Sequence, residues 1–395
     1  MMRLLIQRGS VLLLRPVAVL AEGAFVPGGN VLIHVLPIAA MALTASSVPV
    51  HLQFMIMAPG KPERQAVARA YVGGLVNVTL IALSILSAIL LVVWPAIDPV
   101  LLLSICCVFL VEKFSDELTR YFEFGKRYNL WFAVQVARSG WLFVPILLAA
   151  SGYAYDFAFL ASALISALAS TTLFFIATGL KPRFSIMGWG VMRTNGVFLS
   201  GAILLALHRQ GPRIVVAHLF PQVAHVFQAV AQLGQGASLL FNIKYQIPYR
   251  RLIARRPMLF ERRFEPIFKR LLWLAFGMTA VGLAVHVILP ASPDAADGTI
   301  LTSLVPIMIA DALAFSVLSA YFGYMPWLSG GRKVLATYAT GAILLLSTVG
   351  ISYAVLTKAS DFVEIVPTLM VALSALWIWL VRHRHFTPRE RHVGS

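Results

Sequence analysis

Charge is scarce in this chain of 395 residues: 12% are Asp, Glu, Lys or Arg, whereas 59% are hydrophobic. A soluble domain carries about 25% charged residues. The sequence also lacks any long polar stretch that would fold alone in water. The composition therefore excludes an ordinary soluble domain and predicts an integral membrane protein.

Cysteine patterns and catalytic motifs are also lacking. Cys106 and Cys107, the only two cysteines, are adjacent in one apolar run and predict neither a disulfide framework nor a metal site. The sequence contains no G-x-S-x-G elbow, no H-E-x-x-H and no Walker lysine motif. We therefore expect no cofactor, no metal, no bound nucleotide as an energy source, and no enzymatic activity.

Long apolar runs recur along the whole chain. In hydrocarbon every backbone polar group needs an internal partner, which only helices and closed barrels provide. Barrel strands would read as alternating segments of about ten residues, whereas these runs are continuous and longer. The sequence predicts an all-α membrane protein with about twelve transmembrane helices, at 11–36, 40–57, 70–93, 100–114, 130–150, 157–177, 197–219, 223–245, 271–289, 300–324, 334–356 and 363–381.

The basic residues lie on alternate loops between these spans. The net charge of +16 would indicate nucleic acid binding in a soluble protein, but here the cations follow the positive-inside pattern, so no nucleic acid partner is expected. One side carries Lys61, Arg64, Arg69, Lys113, Arg120, Lys126, Arg127, Lys181, Arg183, Arg193, the cluster 250–270, Arg332, Lys333 and the tail 382–391. The other side carries Asp98, Asp156, Asp294, Asp297, Asp361 and Glu364, with Lys358 as its one cation. This asymmetry predicts that both termini lie in the cytoplasm. We expect a multi-pass protein of the bacterial inner membrane.

The predicted spans divide into two equal sets. Residues 1–180 would form an N-terminal six-helix bundle, 181–195 a cytoplasmic basic linker, and 196–395 a C-terminal six-helix bundle with a cytoplasmic tail. Such duplication is common in transporters. The largest inner loop, 248–270, is amphipathic, and either lies along the membrane surface or is a solvated loop.

Arginines within the spans are the strongest candidate site residues, because a charge at membrane depth is costly and usually faces a cavity or a partner. Arg209 and Arg213 flank Gly211 and Pro212 in the seventh span, which predicts a kinked or broken helix carrying two cations. The alternative is a shorter span followed by an outer loop. Arg138 lies about two turns into the fifth span, and either faces a cavity or extends to the surface.

Acidic residues and histidines within the spans form a second set of candidates. Asp311 lies in the middle of the tenth span and could pair with an arginine or carry a proton. Glu22 is its nearest counterpart in the first half of the chain. His34, His218 and His225 lie near span ends, where a lone histidine is usually structural.

Four segments resemble a known transporter family. They are EGAFVPGGNVLIHVLP (22–37), HLQFMIMAPGKPERQAVARAY (51–71), RYFEFGKRYNLWFAVQVARSG (120–140) and the stretch 212–252. With the helix count, these segments resemble the polysaccharide or O-antigen (oligosaccharidyl-lipid) flippase branch of the multidrug/oligosaccharidyl-lipid/polysaccharide exporter superfamily.

This resemblance implies two bundles around a cationic cavity that moves a polyprenyl-diphosphate-linked oligosaccharide across the bilayer. Arginines offer planar, paired hydrogen bonds to phosphate, so the implied substrate contacts are Arg138, Arg209 and Arg213, together with His218. The candidates for ion coupling are Asp311, Glu22 and His34. A polysaccharide polymerase and glycosyltransferases would be partners. The alternatives are an ion-coupled drug or small-molecule exporter of the same fold, and a membrane acyltransferase or polymerase.

Overall fold

The structure is a computed structural model that describes residues 2–57, 64–124, 127–179, 181, 196–241, 258–288, 296–328, 331–356 and 363–386. Within these ranges every regular element is a helix, so the all-α prediction is confirmed for them. The helices are α1 (Met2–Phe25), α2 (Val31–Met57), α3 (Arg64–Val93), α4 (Pro99–Phe124), α5 (Tyr128–Gly140), α6 (Phe143–Ala150), α7 (Tyr155–Thr178), α8 (Gly196–Leu219), α9 (Pro221–Phe241), α10 (Met258–Ile288), α11 (Ala296–Leu328), α12 (Gly331–Leu356) and α13 (Ile365–Val381), followed by a π-helical turn, Arg382–Phe386.

Seven stretches within the described residues are long and apolar enough to cross a membrane. They lie in α3, in α5 with α6, in α7, and in each helix from α10 to α13, where the last stretch extends into the turn after α13. A shorter apolar stretch, Val31–Ser46, lies in α2. Length and composition therefore indicate a multi-pass helical membrane protein.

The outer faces of these helices are apolar as well. On α7, Ile165, Leu168 and Ile176 are each more than 60% exposed, and on α10 so are Trp273 and Val287. Large exposed apolar surfaces are unfavourable in water but match hydrocarbon. The helices are thus apolar on both sides, as expected for a protein whose solvent is lipid.

The chain forms two compact units, Met1–Ala229 and Val230–Ser395, so the boundary falls within α9. In the first unit α4 packs against α2, α5 and α7. The aromatic core there joins α3, α4, α5 and α7 through Leu75, Val78, Phe114, Leu118, Phe122, Trp131 and Phe174. The central position of α4 explains why its polar residues are buried.

The second unit relies on small side chains. Ala275, Ala310, Ala314 and Val371 form a buried cluster that joins α10, α11 and α13. Small residues allow helix backbones to approach closely in membranes, where no hydrophobic force drives helices together. The pairing of α10 with α11 is accordingly the most extensive in this unit.

The first two predicted spans, 11–36 and 40–57, differ from the observed helices. The helix α1 ends at Phe25, Gly28 adopts a positive φ of 73°, and α2 begins at Val31. A left-handed residue is strongly favoured to be glycine, so the Gly28–Gly29 pair ends one helix rather than lying inside it. The segment 22–37, one of the four quoted above, therefore contains a helix end, a turn and a helix start.

Two further predicted spans contain a proline, and the two prolines have different effects. The fifth span is interrupted at Trp141–Leu142, between α5 and α6. Pro145 has no N–H to donate to the carbonyl of Trp141, and Val144 donates to that carbonyl instead, at 3.0 Å. In contrast, α8 continues through Pro212, so of the predicted kinked or broken helix the break is not found.

Several predicted loops are helical. Lys113 and Arg120, assigned above to an inner loop, lie within α4, which continues to Phe124. From Met258 onward the amphipathic segment 248–270 forms the first turns of α10. Residues 248–257, the linker 181–195 apart from Lys181, and the tail after Phe386 lie outside the described residues.

Candidate functional site

Glu22 is the centre of a polar cluster in the first unit, made of Glu22, Leu32, Tyr155 and His225 (the Glu22 cluster). Its carboxylate is fully buried. The backbone N–H of Leu32 donates to both carboxylate oxygens, at 2.9 and 3.1 Å, and the Tyr155 hydroxyl donates to Oε1 at 2.7 Å. The Nε2 atom of His225 lies 3.2 Å from Oε2. Glu22 thus joins α1, α2, α7 and α9.

The helix packing makes this cluster possible. A Cβ atom on Gly23 would lie 2.9 Å from the ring of His225, so the absence of a side chain there lets α9 approach α1. Gln228, one turn after His225, donates from Nε2 to the carbonyl of Ile33 at 3.2 Å. These contacts hold the start of α2 against α9.

The two other predicted histidines lie near this cluster. His34 and His218 both contact the ring of Trp94, edge to face, with ring centroids 5.5 and 5.7 Å apart. His34 is also within electrostatic range of Glu22 and His225. The structure therefore brings together four of the residues chosen from sequence: Glu22, His34, His218 and His225.

Arg138 belongs to a second cluster, the guanidinium cluster, formed by Arg15, Glu112, Asp116, Arg120 and Arg138. Arg15 Nη2 lies 2.5 Å from Glu112 Oε1, and Arg138 donates to Glu112 Oε2 through Nε, at 2.9 Å, and through Nη2. Asp116 lies 3.6 Å from Arg138 and 2.9 Å from Arg120. Three guanidinium groups thus contact two carboxylates, and Arg120 is the most exposed of the three, with 41% of its side chain accessible.

A third pair lies next to this cluster on α4. Lys113 is fully buried, with its Nζ 3.4 Å from Glu117 Oε1 and 3.3 Å from the carbonyl of Ser46. A lysine with no exposed surface is rare unless it is paired. Lys113 is therefore buried in an ion pair within α4 and does not lie on an inner loop, where it was predicted.

The remaining predicted cations lie on α8. Arg213 is buried and donates to Gln210 Oε1 at 3.3 Å, one turn earlier on the same helix. Arg209 is half-buried, and the neighbouring His208 is buried. Arg138 is therefore held by carboxylates, and Arg213 contacts the side-chain amide of Gln210.

In the second unit the buried carboxylate is Glu364 rather than Asp311. Asp311 lies half-buried in the middle of α11. Glu364, assigned above to an outer loop, is fully buried and accepts a hydrogen bond from Ser303 Oγ at 2.5 Å, while His286 Nδ1 lies 3.0 Å from the same oxygen. Glu364, His286 and Ser303 are called the Glu364 site below.

Sequence reasoning missed Arg15, Glu112 and Glu364, since each lies near the end of a predicted span. The spacing of Lys113 to Glu117 and of Asp116 to Arg120, both i to i+4, is the one signal that could have extended α4. Among the described residues, no group of three or more His, Cys, Asp or Glu side chains is placed to hold a metal ion.

The fold and these clusters define a multi-pass helical membrane protein with buried ion pairs between its helices. Comparisons with protein-family models, with curated proteins and with solved structures find no match to this chain.

Proposed function

We propose that the chain is a bacterial inner-membrane transporter that flips a polyprenyl-diphosphate-linked oligosaccharide for exopolysaccharide or O-antigen synthesis. In this proposal twelve transmembrane helices form two six-helix bundles that alternate in access, and both termini are cytoplasmic. The chain is not an enzyme. Glycosyltransferases supply the substrate, and a polysaccharide polymerase consumes it.

The supporting observation is that two arginines are held inside the first unit. The Arg138 side chain in the guanidinium cluster is only 10% exposed, and Arg213 is buried on α8. Buried arginines in membrane helices are costly and mark a substrate path or a paired partner. A diphosphate supplies the anionic oxygens that paired guanidinium hydrogen bonds fit.

Arg213 and Arg209 are the proposed contacts of the diphosphate. Glu112 already engages Arg138, so Arg138 would contribute positive potential near the substrate rather than a direct contact. Arg213 is buried and donates to Gln210, a neutral acceptor that a phosphate oxygen could replace. His218, beside Trp94, would contact the sugars.

The test is transbilayer movement by the full chain in vesicles. The probe is a polyprenyl-diphosphate-linked oligosaccharide with a fluorescent sugar, which a membrane-impermeant reductant quenches only on the outer leaflet. Replacing Arg209 and Arg213 with Gln should slow movement by about tenfold or more, since a hydrogen bond to a charged group contributes about 1.5–3 kcal/mol.

Lys269→Gln is the matched control, because Lys269 is a surface cation whose side chain is 58% exposed. It should move the probe at the wild-type rate. Wild-type transport by the double arginine variant, or no transport by the wild-type chain, would contradict the proposal.

A second candidate function is ion-coupled export of a small molecule. Buried carboxylates favour it, since Glu22, Glu112, Glu117 and Glu364 are all nearly or fully inaccessible and such groups bind transported ions. Its test is export of a cationic dye from the same vesicles under an imposed proton or sodium gradient. Gradient-driven dye movement without lipid flipping would favour this candidate.

A further inference from the structure

Glu364 is a fully buried carboxylate at the start of α13, and few groups stabilise its charge. Its Oε1 atom accepts from Ser303 on α11 and lies beside His286 on α10. Its Oε2 atom is buried and receives no hydrogen bond from the part of the chain that the structure describes. One oxygen of this carboxylate is therefore left without a donor, and the other depends partly on an imidazole.

The approach of α10 to α11 places His286 at this carboxylate. Gly282 lies one turn before His286, and a Cβ atom there would be 2.6 Å from the carbonyl oxygen of Ser303. Only glycine permits helices to pass so closely. Gly282 thus allows the close packing of α10 and α11 that brings the imidazole to Glu364.

His286 is the one described titratable group in contact with Glu364. The helix α13 has no charged residue before Arg382, and Asp311 is eight residues from Ser303, roughly 12 Å along α11. The side chain of Asp297 lies outside the described residues. The other described titratable side chains on the helices packed against this site are Glu265, Lys269, Arg270, Tyr321, Lys333, Tyr338 and Tyr353.

We propose that Glu364 and His286 together form a proton-binding site that holds one proton inside the second unit. The proton comes from solvent and resides on the imidazole, whose Nδ1–H donates to Glu364 Oε1. The resulting imidazolium neutralises the buried carboxylate, which would otherwise be costly to bury. The His286 side chain is 22% exposed and lies two residues before the end of α10, where the proposed proton would enter.

Loss of this proton leaves a buried, uncompensated carboxylate and weakens the contact among α10, α11 and α13. The proposed site would therefore empty as pH rises. The folded unit is therefore most stable when the proton is bound. This site is independent of the proposed lipid-linked substrate.

The experiment measures the thermal unfolding of the full chain in detergent at about pH 6 and about pH 8. The wild-type protein should unfold at a lower temperature at the higher pH, by several degrees. His286→Gln and Glu364→Gln should each reduce this difference. The variant with both substitutions has neither charge. It should fold with a neutral, hydrogen-bonded pair of Gln side chains and should also show the reduced difference.

Two controls separate proton binding from general destabilisation. Ser303→Ala removes a hydrogen bond but keeps the titrating pair, so it should lower both unfolding temperatures and keep their difference. His225→Gln removes the histidine of the Glu22 cluster and should change the difference less than His286→Gln does. His286→Gln lies at a partly exposed position, which keeps the test decisive if Glu364→Gln fails to fold. A wild-type pH difference that persists unchanged in His286→Gln would overturn the proposal.

Discussion

Glu22 and Glu364 share the same local chemistry, one in each unit, yet they differ in how their charge is stabilised. Both are fully buried, and both contact a histidine from another helix, at 3.2 and 3.0 Å. Glu22 additionally receives the Leu32 N–H on both oxygens and the Tyr155 hydroxyl. Glu364 receives only Ser303, and its second oxygen receives nothing from the described residues.

The difference lies in the donors that do not titrate. Leu32 is the second residue of α2, where backbone N–H groups are unpaired and the helix dipole favours a negative charge. Glu364 directly precedes α13, but its side chain makes no hydrogen bond to the first turn of that helix. Glu22 therefore has two fixed donors besides His225, the Leu32 N–H and the Tyr155 hydroxyl, whereas the fixed donor to Glu364 among the described residues is Ser303.

The largest expected effect is the difference in unfolding free energy lost when Glu22 or Glu364 is removed. Glu22→Ala leaves the Leu32 N–H, the Tyr155 hydroxyl and His225 without their shared acceptor, so we expect a loss of about 3–5 kcal/mol in unfolding free energy. Glu364→Ala removes a poorly solvated charge, and we expect a loss of only about 1–3 kcal/mol. Chemical unfolding in mixed micelles measures both values.

Asp156→Ala is the matched control for this pair, since Asp156 is an exposed acid in the first turn of α7. It should cost less than about 1 kcal/mol. If Glu364→Ala destabilised the protein as much as Glu22→Ala, the contrast between the two carboxylates would be wrong.

The glycines beside the two sites provide the next test. A Cβ atom on Gly282 would meet the backbone of Ser303, which moves only with α11, whereas one on Gly23 would meet the side chain of His225. We expect Gly282→Ala to cost about 1–3 kcal/mol through overpacking and to reduce the pH dependence of stability. Gly23→Ala should cost less, because a side chain yields more easily than a helix backbone.

Gly277→Ala controls for the intrinsic effect of alanine in the same helix, since a Cβ atom there meets open space. It should stabilise α10 by about 0.5–1 kcal/mol. Equal destabilisation by Gly277→Ala and Gly282→Ala would show that close packing at Gly282 does not position His286.

Much of the fold was predictable because long apolar runs specify helices directly. The predicted spans 157–177 and 334–356 agree with α7 and α12 to within three residues at each end. Glycine and proline account for the largest departures, at Gly28 and Pro145, where local backbone chemistry outweighs the hydrophobic pattern.

The buried ion pairs were far less predictable. Glu22 was identifiable because a charge inside an apolar run is conspicuous, whereas Glu364 lies at the edge of such a run and resembles a loop acid. Its partner His286 is 78 residues away, and Glu112 is 97 residues from Arg15. Helical periodicity indicates which residues share a face, but it does not indicate which helices meet.

Tyr155→Phe should have the smallest effect on stability. It compares the two carboxylates most directly, because it leaves Glu22 with fewer fixed hydrogen-bond donors, as Glu364 has. The variant removes one neutral donor and should cost about 1 kcal/mol. With fewer fixed donors, the Glu22 charge should depend more on a protonated His225. Stability would then fall more steeply than in the wild type as pH rises from about 6 to about 8.

Thermal unfolding at the two pH values measures this change, and His225→Gln added to Tyr155→Phe should remove the extra pH dependence. Tyr153→Phe is the control, since Tyr153 is exposed two residues earlier in the chain. If Tyr155→Phe lowered stability equally at both pH values, the number of fixed donors would not explain why the two carboxylates differ. The cause would then have to lie in the depth of each site rather than in its hydrogen bonds.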